Sequence, residues 1–274
     1  MPHAALPPFF RGLAPTLHIA HRGGSLLAPE NTLTAFHQAV ERYHTQMLET
    51  DVHLSRDGEL VVAHDPTLER CTDGAGPLAA LTLAELRRLD AGHHFTPDGG
   101  ATHPFRGQGT RLSTLGEVLR AFPSLRFNIE VKPDVAGIED VLAQVLRETG
   151  ALERVCVGSE LDAVGERLVR ALPDACHFYP RDALTAFVLS VRSGEPPPDE
   201  PRYSVLDMPL YFGGMRLVDE VLLGEARARG KWVNVWTVDD ALEMKQLVAE
   251  GVGGIMTDRP DLLRQVLDGR HNPR

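Results

Sequence analysis

Glu49 and Asp51 stand two residues apart in Leu48-Glu49-Thr50-Asp51-Val52, and Glu130 and Lys132 stand two apart in Asn128-Ile-Glu130-Val-Lys132. In extended chain, alternate side chains share a face. Each run therefore shows its polar set on one side and Leu48, Thr50 and Val52, or Ile129 and Val131, on the other. On neighbouring strands with apolar sides turned toward covering helices, Glu49, Asp51 and Glu130 converge with Lys132 beside them. Like charges gathered this way raise one another's pKa unless a partner neutralises them. All-oxygen ligands suit a hard divalent cation, Mg²⁺ or Ca²⁺. Ion pairing with Lys132 would account for any one strand carboxylate; three converging at strand ends point to the metal. No Cys or His stands at ligand spacing on these runs, which disfavours zinc.

Two histidines end apolar runs: His21 in Ile19-Ala-His21-Arg22-Gly23-Gly24, and His64 in Val62-Ala-His64-Asp65. A pair of imidazoles can remove one proton and deliver another near neutral pH. With 12 histidines in the chain, most must be structural, and only placement singles out these two. Arg22 can clamp a phosphate oxygen with its planar fork. Trp236 ends a later apolar run and is either a pocket wall or a buried core residue. His93, His94 and His103 have no regular ligand spacing, and Gly74-Ala-Gly76 alone is a weak phosphate signal. Cation, carboxylates, Arg22, Lys132 and two histidines together describe metal-assisted cleavage of a phosphate ester, the cations holding phosphoryl oxygens and the histidines moving protons.

The elements that must position these groups alternate in period. Short Val-, Ile- and Leu-rich runs predict eight strands: Leu17–Ala20, Met47–Asp51, Arg126–Val131, Val155–Gly158, Ala175–Tyr179, Tyr203–Asp207, Lys231–Trp236 and Gly254–Thr257. Helical spacing follows each of them. The first helix carries Leu33, Phe36 and Val40 on one face, with Asn31 able to cap it. Further helices are expected over 115–122, 136–149, 161–172, 182–193, 215–229, 239–249 and 260–268. This reads as an α/β chain folded as a (β/α)8 TIM barrel, whose active sites lie at the C-terminal ends of the strands. An open doubly wound sheet lacks its glycine fingerprint here. One domain over 1–274 is expected, with a small inserted subdomain after strand 2, about 52–113. That insertion opens with a turn, Ser55-Arg-Asp-Gly58, and a return run, Glu59-Leu-Val-Val-Ala63, too close for a parallel crossover and so an antiparallel hairpin. Pro196-Pro-Pro198 marks a surface loop, and no internal repeat is present.

The 274 residues are 43% hydrophobic and 24% charged, with formal net charge −10, which excludes general disorder and argues against nucleic acid as partner. No apolar run reaches the roughly 18 residues of a membrane span, and residues 1–16 lack the apolar stretch of a secretory signal. The three cysteines, Cys71, Cys156 and Cys176, are far apart, without metal spacing, and are expected to be reduced; the default location is the cytoplasm. The expected partner is a small-molecule phosphodiester, with no stable membrane association, in a monomer or homo-oligomer.

At these residues the sequence resembles the glycerophosphodiester phosphodiesterase family. The resemblance rests on His21-Arg-Gly23 with Pro29-Glu-Asn-Thr32, Glu49-Thr-Asp51-Val52, Asp57-Gly58 leading to His64-Asp65, Thr72-Asp-Gly74, Leu112-Ser-Thr-Leu115, Glu130-Val-Lys132-Pro133, Val235-Trp-Thr-Val238 and Thr257-Asp258-Arg-Pro260, in family order from about residue 17 to 265. It implies a TIM barrel that hydrolyses glycerophosphodiesters to sn-glycerol 3-phosphate and an alcohol. By the family pattern Glu49, Asp51 and Glu130 bind the divalent cation, His21 and His64 are the acid/base pair, and Arg22 and Lys132 contact phosphate. The implied route is attack by the substrate's neighbouring hydroxyl through a cyclic phosphate. The chain departs from the pattern at Glu160, Asp239 and Gly253, of which Glu160 bears on the choice of alcohol. Two rival readings are a lysophospholipase D-like enzyme for single-chain lipids, with Phe9 and Phe10 or Phe95 and Phe105 as an apolar patch near the mouth, and a non-catalytic phosphoester-binding barrel.

Overall fold

The structure is a computed structural model describing residues 7–269. Its strands are β1 (Leu17–Ala20), β2 (Met47–Leu54), β3 (Leu60–Val62), β4 (Arg126–Val131), β5 (Val155–Gly158), β6 (Cys176–His177), β7 (Val205–Pro209), β8 (Tyr211–Phe212), β9 (Met215–Arg216), β10 (Trp232–Trp236) and β11 (Gly254–Thr257). Eight of them run parallel in the order β6-β5-β4-β2-β1-β11-β10-β7. A bridge between Phe178 and Val205 shuts the remaining seam, with Tyr179 N donating to Val205 O and Ser204 N to His177 O, both at 2.8 Å. The barrel expected from the sequence is present.

The helices are α1 (Leu33–Tyr43), α2 (Leu83–Leu86), α3 (Leu115–Ala121), α4 (Ile138–Glu148), α5 (Asp162–Ala171), α6 (Arg181–Ser193), α7 (Glu220–Ala228), α8 (Ala241–Glu250) and α9 (Pro260–Gly269). All but α2 pack outside the barrel, where outward-facing strand residues such as Leu48, Ile129 and Val157, or Leu206 and Val235, meet their apolar stripes. Inside the barrel, the N-terminal half is filled by Leu17, Ile19, Met47, Cys156, Cys176, Phe178, Val205 and Met256. Phe9 and Phe10 close this floor from below, and Phe10 lies 4.9 Å from the Trp232 ring. These two phenylalanines are therefore buried at the face opposite the mouth and supply no apolar patch there. Phe95 and Phe105 pack edge-to-face on each other at 5.3 Å within the insertion.

β2 continues to Leu54, three residues past its expected end, because Val52–Leu54 pairs antiparallel with β3 across the Ser55–Gly58 turn. The insertion has an apolar cluster of its own, Val61, Leu68, Leu78, Leu86, Ala91 and Leu112. Two further elements differ from expectation. Residues 211–216 form a small hairpin and the helix starts only at Glu220; Gly213 and Gly214, at φ 57° and 81°, supply the turn. The first helix is capped by Thr32, whose hydroxyl accepts from Ala35 N, and not by Asn31. Asn31 sits at φ 57° and spends its side chain elsewhere.

Candidate active site

Parallel register places Asp51 directly opposite Glu130 and Glu49 opposite Asn128 at the C-terminal ends of β2 and β4. Lys132 Nζ lies between the first pair, 3.0 Å from Asp51 Oδ1 and 2.7 Å from Glu130 Oε2. Asn31 donates to Asp51 Oδ2 at 3.0 Å and accepts from Thr50 Oγ1 at 2.7 Å, which fixes the carboxylate from behind. The chain then turns sharply after β1. Arg22 adopts φ 51°, its backbone N donates to Glu49 Oε2 at 2.9 Å, and its guanidinium stands 3.2 Å from Glu30 and 3.4 Å from Asp51. Its buried Nε–H has no aligned hydrogen-bond acceptor. The turn packs too tightly for any other residue at Gly23, where a Cβ would meet that of Ala35 at 2.8 Å.

Both histidines are held by aspartates. His21 Nδ1 lies 2.8 Å from Asp258 Oδ1, just past β11, so Nδ1 carries the proton and Nε2 faces Glu49, 3.9 Å away. His64, at the end of the hairpin, has Nδ1 2.7 Å from Asp65 Oδ1, and its carbonyl accepts from His53 Nε2 at 3.0 Å. Asp239 accepts from Thr257 Oγ1 at 2.9 Å and from Asp258 N at 2.8 Å, and so holds the loop that carries the His21 partner. Residue types alone do not single out Asp258, Asp65, Glu30 and Arg70 as supports, and they point to Asn31 only as a helix cap. The signal available was position alone: they lie inside or just beside the quoted motif stretches.

The electrostatics divide the carboxylates. Burial, with the charge of Asp51 next, pushes Glu49 up to about 8. Glu130 is raised too, by burial first, against the pull of Lys132. Burial also acts on Asp51, but Lys132 and Arg22 outweigh it and hold its pKa below the ordinary carboxylate value. For His21, burial lowers the pKa, yet Glu49 and Asp258 overcome it and leave it raised. Among the described residues no three His, Cys, Asp or Glu side chains already stand in a metal-holding arrangement, since Lys132 separates Asp51 from Glu130. The donor set still fits a hard divalent cation: two buried carboxylates, Glu49 and Asp51, and the half-buried Glu130 offer oxygens with Arg22 and Lys132 as their fixed cations, and burial makes Glu49 and Glu130 costly to ionise without further positive charge.

Trp236 ends β10 at the same face and is 41% exposed, so it is not a core residue. Glu160, after β5, pairs with Arg181 Nε at 2.9 Å and is within electrostatic reach of Glu130. His93, His94 and His103 lie on the insertion; His93 packs edge-to-face on His94 at 4.7 Å and His103 Nδ1 pairs with Phe95 O.

The sequence profile of the Glycerophosphoryl diester phosphodiesterase family matches residues 21–262. The chain belongs to that family. A glycerophosphodiester phosphodiesterase of Caldanaerobacter subterraneus subsp. tengcongensis is 32% identical over 266 residues, covering 90% of this chain and 96% of its own. Among solved structures, the glycerophosphoryl diester phosphodiesterase domain of Mycobacterium tuberculosis Rv2277c superposes with TM-score 0.82 at 25% identity, over 91% of this chain and 98% of that one. An Oleispira antarctica phosphodiesterase, solved in complex with the product sn-glycerol 3-phosphate, matches with TM-score 0.71 at 25% identity, over 93% and 97% of the two chains. Glu49, Asp51, Glu130, Arg22, Lys132 and the two histidines stand at one end of the barrel, at the face where this fold keeps its chemistry.

Proposed function

We propose that this family member hydrolyses glycerophosphodiesters to sn-glycerol 3-phosphate and an alcohol, with His21 and His64 as the acid/base pair. The observation that carries the reading is the convergence of Glu49, Asp51 and Glu130 with Arg22 and Lys132 at one mouth, beside two imidazoles each oriented by an aspartate. Arg22 and Lys132 grip phosphoryl oxygens. Glu49, Asp51 and Glu130 would hold a divalent cation, Mg²⁺ or Ca²⁺, whose charge would stabilise the phosphoryl oxygens as negative charge builds on them. The aspartate on each Nδ1 leaves each Nε2 to take or give a proton, that of His21 on the side of Glu49. One imidazole removes the proton from the attacking hydroxyl; the other delivers one to the departing alcohol. If the attacker is the glycerol hydroxyl next to the phosphate, a cyclic phosphate forms, and the two histidines exchange roles when water opens it. Trp236, exposed at the end of β10, would wall the substrate pocket.

No described helix is long and apolar enough to cross a membrane. The cysteines Cys71, Cys156 and Cys176 are free, which supports a reducing, cytoplasmic setting.

The test is release of glycerol 3-phosphate from glycerophosphocholine and glycerophosphoethanolamine, with EDTA and then with each cation restored. Cation-dependent release supports the reading, and His21→Ala and His64→Ala proteins that fold normally should each lose it. Turnover of a lysolipid but of neither water-soluble diester would replace it with the lysophospholipase reading. Binding without turnover would leave a phosphoester-binding barrel.

A further inference from the structure

Arg70 lies on the insertion, between Leu68, which is buried in the insertion's apolar cluster, and Thr72, whose N and Oγ1 both donate to Leu68 O. Its backbone is therefore fixed by the insertion, while its guanidinium reaches back over the barrel. There Nε donates to Asp65 Oδ2 at 2.5 Å, Nη1 to Glu30 Oε2 at 2.6 Å and Nη2 to Glu30 Oε1 at 2.8 Å. The other oxygen of Asp65 holds His64, and Glu30 Oε1 also accepts from Arg22 Nη1 at 3.2 Å. One side chain thus ends two chains of contacts, each two links long: one reaches an imidazole and the other reaches the guanidinium beside Asp51.

We propose that Arg70 is a positioning residue that sets His64 through Asp65 and Arg22 through Glu30, so that the insertion completes the catalytic mouth; this rests on the phosphodiesterase reading above. The geometry uses what only a guanidinium has, two parallel donors for one carboxylate and a third on the adjoining edge for another. A lysine ammonium is a point charge and cannot span both carboxylates in this plane. The arginine is 47% exposed on its side chain, so solvent screens its ion pairs, although the Glu30 it grips is 12% exposed. Its worth lies in orientation, where a displacement on the order of 1 Å costs about 100-fold in rate.

The two arms separate in kinetics. Arg22 grips phosphate, so Glu30→Gln should mainly raise KM; His64 moves a proton, so Asp65→Asn should mainly lower kcat. Arg70→Met should do both, each by about 10-fold or more, with thermal stability unchanged. Arg70→Lys should not rescue, while methylguanidinium added to Arg70→Ala should restore part of the rate and methylammonium none. Calorimetric binding of glycerol 3-phosphate, which needs no turnover, should weaken in Arg70→Met as it does in Glu30→Gln. Wild-type-like kinetics and product affinity in Arg70→Met would overturn the proposal, as would full rescue by lysine. Absence of turnover in the wild type would instead overturn the phosphodiesterase reading, and the product-affinity series would still decide the role of Arg70.

Discussion

Along β1 and the residue after it, the inward positions run Leu17, Ile19, His21; along β2, Met47, Glu49, Asp51; along β11 and its end, Gly254, Met256, Asp258. Within two or three residues, the same strands pass from a floor sealed by Phe9 and Phe10 to a mouth of opposed charges. Between them lies a polar layer in which Asn128 and Asn234 donate to Asp207 at 2.6 and 2.8 Å and the Trp232 indole donates to Asn234 at 3.0 Å. Burial raises Asp207 to about 6, and its hydrogen bonds oppose that rise. The floor is a core like any other, where burial of apolar surface stabilises the fold. The mouth gives stability up, because Glu49 and Glu130 are held where ionising them is costly. Closing the floor lets the mouth remain polar.

That contrast can be broken from either side. The largest effect is expected at Asp51, which contacts Lys132, Arg22 and Asn31 at once. Asp51→Asn should lower kcat/KM by about 1,000-fold, ~4 kcal/mol of transition-state stabilisation, and should also lower the melting temperature, though by a smaller free energy, because Lys132 and Arg22 lose the carboxylate whose pKa they hold down. Steady-state kinetics beside calorimetry checks both halves.

Phe10→Ala reverses the pattern. It opens a hole in the floor under Trp232 and should cost about 3–4 kcal/mol of stability, read by urea unfolding, while kcat at 20 °C stays within about twofold. A large loss of kcat in folded protein would mean that floor and mouth are not separable.

A buried ionisable group outside the mouth supplies a control. His18, on the outer side of β1, is held down to about 4 by burial first and by Arg264 next, with Asp268 opposing. Its folded pKa lies below the usual 6.5, so its stability is intact above about 6.5 and is lost as pH falls toward about 4. The loss should approach about 3 kcal/mol. His18→Leu should flatten the acid side of the pH–stability curve; an unchanged slope would remove His18 as its cause.

The smallest effect sharpens the cost assigned to the mouth. Burial raises Glu49, so the ionised carboxylate destabilises the fold above its ordinary range. Glu49→Gln should change stability least of these variants, stabilising the protein at pH 8 by about 2 kcal/mol, measured in EDTA, although it too lowers turnover. A destabilised variant would show that the charge is fully compensated.

Much of this was legible in the chain. Four strands, β1, β4, β5 and β11, have the bounds that their apolar runs predict, because Leu17 and Ile19, Phe127, Ile129 and Val131, Val155 and Val157, and Ile255 and Met256 mark short extended segments. The 211–216 hairpin was missed because Met215, Leu217, Val218, Val221 and Leu222 also read as a helical face, and only Gly213-Gly214 marked the break. Asn31 was read as a cap because its type and place allow one; Thr32 caps just as well, and Asp51 claims the asparagine.

The sequence by itself determined which groups face inward, since two-residue alternation on a strand is local and Glu49, Asp51 and Glu130 need nothing beyond it to share a side with His21 at a strand end. It also placed the hairpin that brings His64 to the mouth. Only the tertiary structure decided which partner each group meets: Asp258 for His21 across 237 residues of chain, and Glu30 and Asp65 joined by Arg70. Such contacts depend on barrel closure and on how the insertion docks, and no periodicity in the chain encodes a distance between residues so far apart.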